Sequence, residues 1–214
     1  MSEGEKMSLF ITFEGGEGTG KTTVINNLYN YLISLGYDVI KTREPGGSKI
    51  SESIRGIILD RNNTIMDYKT EALMYAASRR QHLIEVIIPA LKKNKIVICD
   101  RYIDSSLAYQ GYARGLGIEQ VKTINEYAIS GYWPDLTIYI DLDPNIGINR
   151  IKNNNRDVDR LDEETISFHE KVREGYIKLI DLYPNRIKKI DGNVSLDILT
   201  QIAKEIVVNK LKEG

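Results

Sequence analysis

One segment constrains the fold of this chain more than any other: Gly15-Gly16-Glu17-Gly18-Thr19-Gly20-Lys21-Thr22. It matches G-x-x-x-x-G-K-[ST], and it lies between an apolar run, Leu9 to Phe13, and a helical pattern. Glycines let successive backbone N–H groups turn inward around a phosphate, and the helix N-terminus adds partial positive charge. The segment therefore predicts a phosphate loop between a strand and a helix, rather than a plain glycine-rich turn.

The residue types within this loop predict its ligands. Lys21 is expected to reach the β- and γ-phosphates of a nucleotide, and the Thr22 hydroxyl is expected to bind Mg²⁺. The residues predicted to bind the nucleotide are Gly15, Gly16, Glu17, Gly18, Thr19, Gly20, Lys21, Thr22 and Thr23.

Strand and helix signals alternate along the rest of the chain. Short apolar runs predict five buried strands, at Leu9 to Phe13, Val39 to Thr42, Ile96 to Cys99, Leu136 to Leu142 and Ile187 to Ile190. Helical patterns are expected at about 22–35, 68–93, 118–130, 144–153, 162–181 and 195–212, with Pro89 kinking the second or ending it early. This alternation predicts an α/β fold, a five-stranded parallel sheet with helices on both faces and ligands at the carboxyl ends of its strands.

Composition sets broad limits on function. The 214 residues suit a single domain, 1–214, and a net charge near −1 gives no global attraction for nucleic acid. One cysteine, Cys99, and two histidines argue against a disulfide or a zinc site. No apolar run approaches the roughly 20 residues that span a bilayer. A cytoplasmic protein without nucleic-acid or membrane partners is expected.

The phosphate loop is shared by GTPases, ATPases and small-molecule kinases, so other features must decide between them. The guanine motif N-K-x-D is absent, since Asn94-Lys95 is followed by Ile96-Val97, and no D-x-x-G segment occurs. Asp100, at the end of a predicted strand, is followed by Arg101 rather than by a glutamate that would position water. These observations favour phosphoryl transfer to a bound acceptor rather than to water.

Four more segments complete a family pattern: Thr42-Arg43-Glu44-Pro45-Gly46-Gly47, Tyr75-Ala76-Ala77-Ser78-Arg79, Asp100-Arg101-Tyr102 and Tyr109-Gln110-Gly111. With the phosphate loop, they make the chain resemble the thymidylate kinases, P-loop nucleoside monophosphate kinases, from about Leu9 to Asp191. The resemblance implies that ATP and dTMP are the substrates, that Mg²⁺ is the cofactor and that the enzyme is a homodimer. The predicted apolar helix positions Leu83 to Ile88 are one candidate for the dimer interface, although they would fit equally well against the sheet.

The resemblance also implies roles for individual residues. Arg79 would lie over the pyrimidine with Tyr75 one helical turn earlier, Arg101 would hold the acceptor phosphate, and Asp100 would act on Mg²⁺. Tyr109 would crowd the ribose 2′ position, and Glu17 would accept a hydrogen bond from the acceptor's 3′-hydroxyl. Weaker candidates for the acceptor pocket are Arg43 and Arg55.

Several of these residues have structural alternatives. Tyr75 is equally compatible with a core position, and either Arg79 or its neighbour Arg80 is expected to be a surface charge. Asp100 would fit a capping role, and Glu44 fits a metal site or a structural role in its turn.

A polar, basic segment from Arg150 to Arg160 lies between two helical patterns. One branch of the family carries its transition-state arginine in the phosphate loop, at the position that Gly18 occupies here; the other branch supplies it from a mobile lid. We therefore predict a lid at about 150–160, with Arg156 contacting the transferred phosphate, Arg160 as the second candidate and Arg150 stacking on adenine. An ordinary solvated loop is the alternative for this segment.

Two further functions stay open at this point. The chain is also compatible with a kinase for another monophosphate or for a deoxynucleoside, or with a nucleotide-binding regulatory protein that has lost catalysis.

Overall fold

The computed structural model of the protein describes residues 8–153 and 159–213, with the backbone alone for 152 and 153. Its strands are β1 (Leu9–Gly15), β2 (Val39–Arg43), β3 (Ile96–Asp100), β4 (Leu136–Asp141) and β5 (Ile187–Asp191). They form one parallel sheet in the order β2-β3-β1-β4-β5. All five predicted strands are confirmed, and four of them extend one or two residues beyond the predicted end.

The helices surround this sheet. They are α1 (Lys21–Ser34), α2 (Lys49–Leu59), α3 (Tyr68–His82), α4 (Ile88–Leu91), α5 (Ile103–Ser106), α6 (Ile118–Ile129), α7 (Pro144–Asn153), α8 (Ile166–Leu182) and α9 (Leu196–Lys212). Two π-helical segments, Leu83–Ile87 and Leu107–Ala113, follow α3 and α5. The sequence prediction missed α2 and the helical stretch from Ile103 to Ala113.

The hydrophobic core has two layers, one on each face of the sheet. Side chains alternate along β1, so that Leu9, Ile11 and Phe13 pack under α1 and α9, while Phe10 packs in the opposite layer with α8 and the π-helical segments. Helices therefore cover both faces, as the sequence predicts.

Pro89 neither ends nor interrupts its helix. The helical backbone continues through Pro89 to Leu91, and the wide π-helical turn at Leu83–Ile87 lies immediately before it. Proline lacks an N–H and clashes with the preceding turn of an α-helix, and the wider turn relieves both problems.

The topology creates a crevice at the carboxyl end of the sheet. The connection after β1 leads toward β2, whereas the connection after β3 crosses to β4 on the other side of β1. Ligands of doubly wound sheets bind where neighbouring connections diverge in this way. The phosphate loop after β1 and the Asp100-Arg101-Tyr102 segment after β3 meet at this crevice.

No helix in residues 8–153 and 159–213 is long and apolar enough to cross a membrane.

Candidate active site

A cavity of about 570 Å³ opens at this crevice. The two adjacent strands β1 and β3 deliver the phosphate loop and the Asp100-Arg101-Tyr102 segment to it, and α2 and α3 form its far side. The predicted site residues that line it are Glu17, Gly18, Thr19, Gly20, Lys21, Thr22, Thr23, Arg43, Arg55, Tyr75, Arg79, Asp100, Arg101 and Tyr109.

The loop from Gly15 to Gly20 has the backbone that its glycines permit. Gly18 and Gly20 take positive φ angles of 66° and 87°, which residues with a side chain rarely adopt. The Lys21 ammonium group donates to the carbonyl oxygens of Gly15 and Gly16, at 3.0 and 2.9 Å. Burial, and secondarily the nearby Arg101 charge, lowers the pKa of Lys21 to about 8.

Arg101 is held in an unusual backbone conformation at the end of β3. Its φ is +67°, a left-handed value that costs a residue with a side chain about 1 to 2 kcal/mol. The turn is secured on both sides, because the Arg101 N–H donates to Phe13 O at 2.9 Å and the Tyr102 N–H donates to Glu14 Oε1 at 2.8 Å. Such strain is concentrated at functional sites, and here it directs the guanidinium group into the cavity.

Three predicted site residues form a cluster in the cavity. The Arg101 guanidinium group donates to Glu17 Oε1, and the Tyr109 hydroxyl donates to the same oxygen at 3.4 Å. The Arg101 guanidinium carbon also lies 5.2 Å from the centre of the Tyr109 ring. An acidic residue of the phosphate loop is therefore in direct contact with the arginine after β3.

Asp100 lies beside this cluster with an unsatisfied oxygen. Its Oδ1 atom is buried and has no hydrogen-bond partner among the described residues. Buried carboxylate oxygens are rarely left unpaired, so this atom points to a ligand or an ion in the working enzyme. This oxygen accepts no hydrogen bond from the described residues, so it does not act as the predicted cap.

Comparisons with known proteins agree with this geometry. A family model described as "Thymidylate kinase" matches residues 13–202. A thymidylate kinase from Clostridium novyi (strain NT) is 61% identical over 189 residues, covering 88% of this chain and 92% of the relative. One from Geobacillus thermodenitrificans (strain NG80-2) is 55% identical over 204 residues, covering 95% and 91%. The crystal structure of thymidylate kinase from Ehrlichia chaffeensis superposes with a TM-score of 0.78 at 32% identity, covering 94% of this chain and 99% of that one.

The chain belongs to the thymidylate kinase family. The family resemblance read from the sequence is thereby confirmed, and with it the α/β fold and the classification as a nucleoside monophosphate kinase.

Arg79 is almost fully buried, although the resemblance implies that it lies over the pyrimidine of a ligand. It is 1% exposed, and its guanidinium group donates to Glu44 Oε2 at 2.8 Å, to Ser106 Oγ at 3.1 Å, to Tyr102 O at 3.0 Å and to Asn125 Oδ1. These hydrogen bonds fix the guanidinium group in place, while the residue still lines the cavity.

The structural alternatives at neighbouring positions are resolved by their contacts. Tyr75 is 8% exposed, so it is a core residue that also lines the cavity, and burial raises the pKa of its phenol well above the usual range. Arg80 is the surface charge of the adjacent pair. Glu44 has a structural role, since its carboxylate accepts hydrogen bonds from Arg79 and from His82 Nδ1, the latter at 3.0 Å.

The two weaker candidates lie at the rim. Arg43 forms an exposed ion pair with Glu52 at 2.7 Å, and the Arg55 guanidinium group donates to Pro45 O at 2.9 Å. Burial, and secondarily the Arg43 charge, lowers the pKa of Arg55. Two guanidinium groups thus line the cavity from β2 and α2, and Glu52 balances the charge of Arg43.

A second cavity of about 440 Å³ lies on the other side of the loop. Arg150 and Ile151 of α7 line it together with Gly192 and Val194, which follow β5. The Arg150 guanidinium group also lies 3.4 Å from Gly18 O. Arg150 thus lies beside the phosphate loop, and its stacking on adenine stays a prediction.

The two other arginines of the predicted lid are Arg156 and Arg160. Arg156 lies outside the described residues. Arg160 donates to Ile58 O at 2.9 Å and forms an ion pair of 2.5 Å with the buried carboxylate of Glu71. Arg160 thus pairs with Glu71 in this structure, and its role as the second candidate for the transferred phosphate stays a prediction.

Three further residues take part in the site and were missed. Ser105 and Gln110 line the main cavity. Glu14 accepts hydrogen bonds from Ser105 Oγ at 2.5 Å and from Tyr176 Oη at 2.8 Å. Glu14 is a charged residue at the end of an otherwise apolar strand, and that anomaly was a usable signal. Gln110 belongs to the Tyr109-Gln110-Gly111 segment, which was a signal as well, whereas Ser105 carried none.

Proposed function

We propose that this protein transfers the γ-phosphoryl group of ATP to dTMP, giving ADP and dTDP for dTTP synthesis. The observation that carries the proposal is the contact between Glu17 of the phosphate loop and Arg101 after β3. It brings the donor loop and the proposed acceptor-phosphate arginine into one cavity. The names of the relatives support dTMP as the acceptor.

On the donor side, the loop from Gly15 to Thr23 would hold the ATP phosphates, with Lys21 on the β- and γ-phosphates. Adenine would occupy the second cavity, which Arg150 and Gly192 line.

The described residues fit Mg²⁺ bound together with the nucleotide. They contain no group of three or more acidic, histidine or cysteine side chains that would hold a metal alone. Mg²⁺ commonly uses one or two protein ligands, water and substrate phosphates, and the unsatisfied Oδ1 of Asp100 and the hydroxyl of Thr22 suit that mode. The ion would neutralise charge on the transferred phosphate.

On the acceptor side, the cavity offers groups for each part of dTMP. Arg101, Arg43 and Arg55 supply positive charge for the phosphate. Tyr109 would crowd the ribose 2′ position, and Glu17 would accept a hydrogen bond from the 3′-hydroxyl.

Arg79 and Tyr75 would bind the pyrimidine. Four of the five N–H groups of Arg79 donate to described residues, which leaves one on Nη2 for a carbonyl of the base.

Catalysis would depend on positioning and charge stabilisation. The acceptor phosphate oxygen is already nucleophilic, so no general base is required. Lys21 and Arg101 supply cations to the reacting groups, and we propose that Arg156 of the lid adds a third. Lid closure would exclude water, which would otherwise compete as the acceptor.

We also propose that residues 1–214 form one domain and that the protein is cytoplasmic, like the nucleotide pools that it would use.

We propose further that the protein is a homodimer. Of the candidate interface positions Leu83 to Ile88, Leu83 and Ile87 are fully buried in the core, which is the alternative that the sequence left open for them. A better candidate is the exposed stripe formed by Leu73, Ala77, Arg80 and Ile84 on one side of the helix. Light scattering on the protein and on a Leu73→Asp/Ile84→Asp variant would test the dimer.

The proposed reaction is tested by measuring ADP formation from ATP with each nucleoside monophosphate, with thymidine and with water alone. Strong turnover with dTMP, weaker turnover with dUMP and negligible turnover with purines is the expected result. Preferential turnover of another acceptor would overturn the dTMP assignment, and ATP binding without any turnover would indicate a protein that has lost catalysis.

A further inference from the structure

Helix α7, which leads into the proposed lid, contains a glycine in its interior. Gly147 is the fourth residue of this helix, Pro144–Asn153. Glycine in a helix interior costs about 1 kcal/mol relative to alanine, so its presence there requires a local reason.

The reason is a close approach of two backbones. A Cβ atom on Gly147 would lie 2.1 Å from the carbonyl oxygen of Glu17, and a Cβ atom on Gly18 would lie 2.1 Å from the carbonyl oxygen of Gly147. Both obstacles are backbone atoms, which cannot rotate away as the end of a side chain can. The tip of the phosphate loop and α7 therefore touch at a place where neither can carry a side chain.

A second contact lies one turn further along the same helix. Arg150, three residues after Gly147, points its Nη1 atom at Gly18 O, 3.4 Å away. Residues three apart lie on the same side of a helix. Gly147 and Arg150 thus form one contact surface, on which Glu17 and Gly18 rest.

We propose that Gly147 is a positioning residue for phosphoryl transfer, because its missing side chain lets α7 rest directly on the phosphate loop at Glu17 and Gly18. The base of the lid is then held at a fixed distance from the loop that binds the transferred phosphate. The inference rests on the proposed function in one respect, because its main test measures the rate of the transfer reaction.

The smallest substitution, Gly147→Ala, tests this proposal. To reach the ordinary contact distance of 3.4 Å from 2.1 Å, α7 or the loop must shift by about 1.3 Å. Misplacement of about 1 Å can lower the rate by about 100-fold. We expect kcat to fall by about 10- to 100-fold and the KM for ATP to rise, while the KM for dTMP stays within about threefold.

Gly56→Ala is the matched control. Gly56 also lies within a helix, α2, but a Cβ atom there would meet nothing within 4 Å. Alanine favours the helix at both positions, so helix propensity alone would leave both variants as stable as the parent protein or more so. Gly56→Ala should retain full kcat.

Thermal unfolding and the binding of dTMP, measured by calorimetry, separate positioning from general damage. The proposal is supported if Gly147→Ala keeps its Tm and its dTMP affinity but loses kcat. It is overturned if kcat stays within twofold of the parent, or if kcat, Tm and dTMP affinity all decline together.

A fluorescent ATP analogue gives a readout that does not depend on the acceptor. If the parent protein fails to phosphorylate dTMP but binds the analogue, the proposed function fails, and the contact is still tested. Weaker analogue binding by Gly147→Ala than by Gly56→Ala would then support it, and equal binding would overturn it.

Discussion

Glu44 carries a buried negative charge that holds Arg79, a residue of the proposed acceptor pocket. Its carboxylate is 2.8 Å from Arg79 Nε and 3.0 Å from His82 Nδ1, and the side chains of Glu44 and Arg79 are 3% and 1% exposed. Removing one partner of a buried ion pair leaves an uncompensated charge, which costs about 3 to 5 kcal/mol. We therefore expect Glu44→Ala to lower the free energy of unfolding by this amount.

For a chain of this length, each kcal/mol shifts the Tm by about 2 to 4 °C, so the loss should be about 6 to 20 °C. Thermal and urea unfolding would measure it. The control is Asp38→Ala, whose ion pair with Lys95 has a similar length, 3.0 Å, but is partly exposed, with side chains 49% and 27% exposed. That change should cost less than about 1 kcal/mol. If Glu44→Ala were no more destabilising than Asp38→Ala, the buried pair would not hold Arg79 as described.

Three further predictions concern the reaction and its pH dependence. Lys21→Ala should lower kcat by about 100- to 1000-fold in steady-state assays, and near-normal kcat would contradict the role of this lysine. Asp100→Asn should raise the half-saturating Mg²⁺ concentration by about tenfold or more, with an unchanged Mg²⁺ titration as the contrary result. Burial, and secondarily Asp104, raises the pKa of Glu14 from 4.5 to about 7. The folded chain therefore binds more protons than the unfolded chain between these values, and the free energy of unfolding should fall as the pH rises through this window. Urea unfolding at a series of pH values should show that fall in the parent and not in Glu14→Gln, and identical profiles would refute it.

The sheet and the phosphate loop were predictable because their signals are local. Each strand is a short apolar run, and the pattern from Gly15 to Thr22 is a contiguous motif whose glycines determine the backbone of the loop. The missed helix α2 has weak local signals, since it contains Ser51, Ser53 and Gly56 and exposes two of its isoleucines. Its position is stabilised by contacts with α3, such as the hydrogen bond of 2.8 Å from Ser51 Oγ to Ser78 O.

The surroundings of the arginines were not predictable from local sequence. The guanidinium group of Arg79 contacts residues 23 to 46 positions away, and Arg160 pairs with Glu71, 89 positions away. A motif identifies an arginine as important, but only the tertiary structure decides whether the side chain meets a ligand or a buried carboxylate. The contact between Gly18 and Gly147 is of the same kind, because it joins two segments that are far apart in the sequence.

The most direct test of the proposed reaction follows the labelled γ-phosphoryl group of ATP in the presence of dTMP and Mg²⁺. The site brings the phosphate loop against Arg101, and the lid is proposed to exclude water, so the label should appear in dTDP with little released as inorganic phosphate. Release of the label mainly as inorganic phosphate, or its retention in ATP while both nucleotides are bound, would contradict this function.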